Sequence, residues 1–269
     1  MSWGIGSLER TSLGGQIAVL FIAIAQAFAP VSSRAQEEKS AASKKVEELR
    51  NKYSFQELLS ANPGAVASAK EIFTLTTDPK IKLKAASILL NIGKADQVHF
   101  DYLTGEAEKA LKDAQEMPWP TVYDKEGKTI DKINPEFLKW CEARKLDALD
   151  TFESAYFDVP MPWLFLAPAR DPRSHDLLMR GLQSSNVMIV VFAAEGLARL
   201  QASDAIDEII AASHRAPLET RFSIARALLF FPDSKAQAAA AEVYKGKKAD
   251  LDVVRKAIES KGWKAFYDY

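Results

Sequence analysis

Ile189-Val-Val-Phe-Ala193-Ala194-Glu-Gly-Leu197-Ala-Arg-Leu200 is the stretch that decides how this chain folds. Small residues occupy its middle, and larger apolar ones stand three to four positions to either side, the spacing of a helix with more than one apolar face. The chain writes the pattern twice more. It recurs as Ile81-Lys-Leu-Lys-Ala85-Ala86-Ser-Ile-Leu89-Leu-Asn-Ile92-Gly93 and as Thr220-Arg-Phe-Ser-Ile224-Ala225-Arg-Ala-Leu228-Leu-Phe-Phe231. Alanines at the centre of each copy let neighbouring helices approach closely from several sides, as stacked helical repeats require. The fold class that follows is all-α.

Working outward from these copies, the helix boundaries are written in caps and prolines. Asp78-Pro79 and Asp171-Pro172 each pair an N-capping carboxylate with a proline at the first helical position. Gly93 is a natural C-terminal stop. Before the insertion the periodicity predicts helices over 65–76, 79–93 and 96–114. After it, helices are predicted over 173–182, 187–200, 205–213, 218–231, 234–244 and 251–260. The equivalent Ala194 and Ala225 are 31 residues apart, whereas Ala86 and Ala194 are 108 apart, room for three repeats or for two and an insertion.

Residues 115–164 break the rhythm and read as an insertion or one strongly modified repeat. They contain Met117-Pro-Trp-Pro120, a β-hairpin expected over Val122–Ile130, a capped helix from Asn134-Pro135 to Lys145, a segment 148–157, and the apolar run Met161-Pro-Trp-Leu-Phe-Leu-Ala167. Trp119, Tyr123, Trp140, Phe152, Tyr156, Phe157 and Trp163 crowd into this region. They form either a local core where the stack is interrupted or a groove of aromatic anchors for a peptide or glycan. The core is the expected reading, with Trp119 and Trp163 kept as candidate partner contacts.

The ends of the chain carry a different expectation. Ile17 to Phe28 is apolar apart from Gln26, too short to cross a bilayer, which needs about 20 residues. Ser33-Arg34-Ala35 follows with small residues at −3 and −1, so residues 1–35 read as a cleaved export signal and the protein as periplasmic or extracellular. Residues 36–61 form a polar lead-in with a capping box at Ser54–Glu57. Residues 62–114 and 165–269 carry the repeats, with Trp263, Phe266, Tyr267 and Tyr269 as a C-terminal cap. After cleavage the net charge is near −2. That leaves no footprint for nucleic acid and no integral membrane segment. One cysteine, Cys141, precludes an internal disulfide and is expected as a small buried apolar group.

The small-residue pair, Lys82 and Arg221 four positions before its second member, the Asp-Pro starts and the 31-residue spacing together resemble HEAT repeats. More narrowly, they are similar to the short bacterial-type repeats of the group that includes phycobilisome-lyase-like repeats. The resemblance covers about two thirds of the chain beyond residue 35 and implies a right-handed α-α superhelix of the HEAT/armadillo type. For function it implies little, since such repeats serve scaffolds, adaptors and a few enzymes. Val190 departs from the basic position, and Phe231-Pro232 from the usual apolar-glycine end. The metal-dependent hydroxylases built on these repeats carry His-Glu pairs, whereas His99, His175 and His214 here precede Phe, Asp and Arg.

No catalytic, cofactor or metal-binding residue is assigned, because no nucleophile elbow, phosphate loop or zinc motif is present. The expected role is therefore a protein- or peptide-binding scaffold. Its candidate contacts on the second helices are Lys82, Lys84, Glu195, Arg199, Arg221 and Arg226. The alternative is a hydrolase or lyase-type site between the insertion and the stack, drawing on Asp124, Glu136 or Asp158.

Overall fold

The computed structural model describes residues 41–52, 61–245 and 248–261. Their regular structure is helical apart from one two-stranded sheet, so the described residues form an all-α fold. The described residues divide into a unit that ends at Leu251 and the segment from Asp252 to Lys261. The helix row, the excursion and the sites described below belong to the first unit. The expected signal, the helix over 54–60 and the aromatic cap beyond residue 261 lie outside the described residues.

In chain order the elements are α1 (Ala41–Lys52), α2 (Pro63–Leu75), α3 (Pro79–Asn91), α4 (Gln97–Glu116), β1 (Thr121–Tyr123), β2 (Thr129–Ile133), α5 (Pro135–Arg144), α6 (Ala148–Phe157) and α7 (Met161–Leu166). There follow α8 (His175–Gly181), α9 (Val187–Leu200), α10 (Ile206–Arg215), α11 (Leu218–Leu228), α12 (Ser234–Val243) and α13 (Lys248–Lys261). Side-chain oxygens of Asn62, Asp78, Asn134, Asp147, Asn186 and Asp233 accept the first free N–H groups of α2, α3, α5, α6, α9 and α12. Asp171-Pro172 opens only a 3-10 turn, Pro172–Ser174, before α8 begins. The third copy stops at Leu228, three residues before its expected end.

The alanines of the three copies behave as their spacing requires. Ala86, Ala193, Ala194 and Ala225 are completely buried. Helix α9 packs on α8, on α11 and on α7 with the 3-10 turn Ala167–Ala169 that extends it; α3 packs on α2, on α4 and on the same α7. The three copies and α7 therefore form a row, α3–α7–α9–α11, backed by α2, α4, α8 and α10. Helix α7 is pinned in that row by polar bonds to its neighbours. Trp163 Nε1 donates to the Ala107 carbonyl at 2.9 Å, and Ser87 Oγ donates to the Phe165 carbonyl at 2.7 Å. Gly181 is obligatory opposite Trp163, since a Cβ there would lie 2.3 Å from the indole. The excursion from the row consequently runs from Met117 to Pro160, closing earlier than residue 164.

That excursion has its own small core. Met117, Phe137, Cys141 and Ala155 are buried together, flanked by half-buried Trp119, Trp140, Phe152 and Val159. The hairpin forms where expected, antiparallel with a bulge at Thr121/Val122 and a turn through Gly127 at φ +80°. Cys141 is buried as a small apolar group, as its position beside Phe137 predicts.

Candidate functional site

The excursion is fastened to the beginnings of three helices of the row. Asp158 pairs with Lys80 at the start of α3, 2.9 Å apart. Asn186, the buried N-cap of α9, uses its oxygen on Met188 N (2.9 Å) and its amide nitrogen on the Ala155 carbonyl (2.8 Å). Helix α11 follows Pro217, which offers no capping side chain. Its Leu218 N–H is instead capped by the Gly127 carbonyl at 2.8 Å, and Glu219 Oε1 accepts from Thr129 N and Thr129 Oγ1 at 3.0 and 2.8 Å. Residues up to 91 positions apart thus hold the hairpin and α6 along one edge of the row.

So fastened, the excursion turns its outer side to solvent. Helix α5 buries Phe137 and Cys141 and ends at Lys145, which adopts φ 55°. Leu146 N then bonds the Cys141 carbonyl at 3.0 Å, a Schellman-type closure. Asp147 caps α6 on Leu149 N and Asp150 N, both at 2.9 Å. Among the described residues, seven large apolar side chains are exposed, and five of them, Ile133, Leu138, Leu146, Leu149 and Phe157, fall within residues 133–157. Leu149 is the most exposed at 65%. Scattered single apolar residues need no explanation, but a concentration of this kind marks an interaction surface.

The residues expected as partner contacts divide into three groups. Trp163 is fully buried inside the helix row, and Arg199 is buried with both Nε and Nη2 on Glu195 Oε1 at 3.0 and 2.6 Å. Both are core residues rather than surface contacts: neither can meet a partner without unfolding its surroundings. Arg221 donates to the Ala216 carbonyl just before its own helix, Nη2 at 2.9 Å, so its guanidinium is engaged locally. Arg226 is half-buried, and burial lowers its guanidinium pKa against the opposing charge of Glu195. Lys84 is half-buried too; burial pushes its ammonium down to about 8, and the charge of Arg50 adds to the shift. Lys82 lies over the rings of Phe73 and Tyr102, 4.9 and 5.0 Å from their centroids.

Lys82 also borders a shallow pocket of about 430 Å³ with Lys70, Phe73, Thr74, Asp96, Val98 and His99. Lys70 and Asp96 pair across it at 2.7 Å, which holds the Asp96 carboxyl below its usual range. His99 is tied to the backbone at the start of α4. Its Nδ1 accepts the Asp96 N–H at 3.0 Å, and burial lowers its pKa. The pocket offers one compensated ion pair and one lysine already engaged with aromatic rings.

Among the aromatics of the excursion, Trp119, Trp140, Phe152 and Tyr156 are half-buried and Phe157 is exposed. Trp119 is half-buried against Tyr156, ring centroids 4.6 Å apart, and donates Nε1 to Tyr123 Oη at 2.8 Å. Tyr156 Oη meets Thr121 Oγ1, and burial raises both phenol pKa values. Trp140 is half-buried beneath the Arg144 guanidinium at 4.3 Å rather than enclosed as its apolar stripe predicts. Phe157 is open to solvent. The carboxylates expected for an enzyme site stay apart: Asp124 accepts turn N–H groups of Glu126 and Lys128, Glu136 pairs with Lys139, and Asp158 pairs with Lys80. Among the described residues no group of three His, Cys, Asp or Glu side chains is placed to hold a metal ion. No helix among them is long and apolar enough to cross a membrane.

Sequence reasoning missed the exposed leucines. Leu138 and Leu149 sit in helices whose apolar stripes are already complete without them, which is the signal that could have found them, and Leu146 lies in the turn between those helices. No protein-family model, curated protein or solved structure matches this chain.

Proposed function

We propose that the chain is an exported helical-repeat scaffold that binds a protein or peptide partner, with the outer side of the 117–160 excursion as its contact surface. The observation that carries this reading is the gathering of five of seven exposed large apolar side chains within residues 133–157. The packing of α3, α7, α9 and α11 in a row supports the stacked-repeat, HEAT-like form, with α7 as the second helix of a repeat whose two helices are separated by the excursion. In a right-handed α-α superhelix such an insertion emerges at the end of the helix pairs, where it adds a surface without interrupting the stack. Export rests on the apolar run 17–28 and Ser33-Arg34-Ala35; N-terminal sequencing of the protein recovered outside the cytoplasm should begin at Gln36, and recovery of Met1 there would overturn that part of the proposal.

The binding role is tested by affinity capture with the wild-type chain and with Leu138→Ser/Leu149→Ser. Both leucines are exposed, so the double variant should keep its helical circular dichroism. A polypeptide retained by the wild type and lost from the variant is the expected result. Equal retention by the two, or retention of none, would contradict the assignment of the surface.

A further inference from the structure

The outer faces of α5 and α6 share a spacing that specifies the chemistry of what they bind. On α5, Leu138 is followed at four-residue steps by Glu142 and Leu146; on α6, Leu149 is followed by Glu153 and Phe157, and all six side chains are exposed. Residues four apart stand one above the other on a helix. Helix α6 therefore carries a stripe in which a carboxylate separates two apolar groups; on α5 the stripe is Leu138 and Glu142, and Leu146 follows the left-handed turn at Lys145. The two helices pack against each other and share one core, so the stripes belong to one rigid piece.

The surroundings are acidic. Residues 134–158 contain six carboxylates against three basic residues. Lys139 is offset by Glu136 and Asp158 by Lys80, which leaves Glu142, Asp147, Asp150 and Glu153 against Arg144, held over the Trp140 ring, and Lys145. An apolar surface set in negative charge repels anionic lipid and acidic protein and attracts a cation-bearing apolar face. Resting on the binding role proposed above, we infer that the occupant of the α5–α6 face is a basic amphipathic helix. Its apolar side would lie on Leu138, Leu146, Leu149 and Phe157, and its lysines or arginines would meet Glu142 and Glu153, the helix-on-apolar-face mode of peptide recognition.

The test uses the full chain and a fluorescein-labelled Leu/Lys amphipathic peptide of about five helical turns, read by anisotropy. The peptide should bind, and affinity should fall about tenfold or more in Glu142→Lys/Glu153→Lys and likewise in Leu138→Ser/Leu149→Ser. Raising salt from about 0.05 to about 0.5 M should weaken binding to the wild type and have little effect on what remains in the charge-reversed variant. A Leu/Glu peptide of the same pattern should not bind, and neither should vesicles rich in phosphatidylglycerol. Equal binding of the Leu/Glu peptide, unchanged affinity in both variants, or preferential binding to the vesicles would each overturn the inference. If the Leu/Lys peptide fails while affinity capture still depends on Leu138 and Leu149, the binding role stands and only the basic-helix assignment falls.

Discussion

The carbonyl of Gly127 caps the first N–H of α11 at Leu218, from 2.8 Å and across 91 residues of sequence. Helix starts leave unsatisfied N–H groups, and Pro217 cannot supply a capping oxygen. The hairpin turn performs that task and is anchored by it. Gly127 has φ +80°, and a Cβ there would lie 3.3 Å from the Leu218 nitrogen. Gly127→Ala is expected to destabilise the chain by about 1–2 kcal/mol, the cost of a left-handed backbone for a residue with a side chain. Chemical denaturation measures the loss, and faster hydrogen exchange at the Leu218 amide should accompany it.

Asn186 works in two directions, capping α9 and holding α6 by the Ala155 carbonyl. Asn186→Ala removes both bonds, and its expected cost is about 2 kcal/mol, a lost N-cap together with a buried carbonyl left without its donor. Asn186→Ser keeps a capping oxygen but no amide donor and should lose about half as much. Equal losses for the two variants, compared by denaturation midpoints, would show that the cap contributes nothing, and a serine variant as stable as the wild type would show the same of the bond to α6.

Ala194 and Ala225 lie inside the helix row, each fully buried. Ala194→Leu and Ala225→Leu are expected to destabilise by about 1–3 kcal/mol through overpacking. Lys112→Ala, at an exposed position of α4, should change stability by no more than about 0.5 kcal/mol. Wild-type stability in both leucine variants would argue against tight stacking of α9 and α11.

His99 gives the fold a sensitivity to mild acid. Its Nδ1 accepts the Asp96 N–H, which requires the neutral ring, and burial lowers its pKa below the ordinary value near 6.5. A group with a depressed folded pKa contributes stability that is fully present above its unfolded pKa and is lost as pH falls through the folded one. Thermal unfolding between about pH 7 and pH 5 should therefore show a decline in the wild type that is smaller in His99→Gln, which keeps an acceptor but does not titrate. Parallel declines would remove His99 from the account.

Much of this architecture is legible in the sequence, and the reason is local. Asp78-Pro79, Asn134-Pro135 and the alanine-centred copies act within one or two turns, so the residues that specify them are adjacent in the chain. The hairpin over 121–133 is legible for the same reason, through Gly127. Trp163 is misread because Met161-Pro-Trp-Leu-Phe-Leu166 has no helical alternation; its burial depends on Ala107 and Gly181, which are distant in sequence. Arg199 has the spacing of a surface residue and is buried through its four-residue step to Glu195. The bonds that place the excursion, Gly127 to Leu218 and Asn186 to Ala155, join backbone carbonyls to distant partners and leave no pattern that a single sequence can display.

The binding surface is tested most directly by a photo-crosslinking amino acid placed at Leu149 in the cell, with Lys112 on α4 as the comparison position. Both positions are exposed, so neither substitution should disturb the fold. A discrete polypeptide adduct at Leu149 and none at Lys112 is the result expected of a contact surface on the α5–α6 face. Adducts of equal yield at both positions, or none at Leu149, would contradict it.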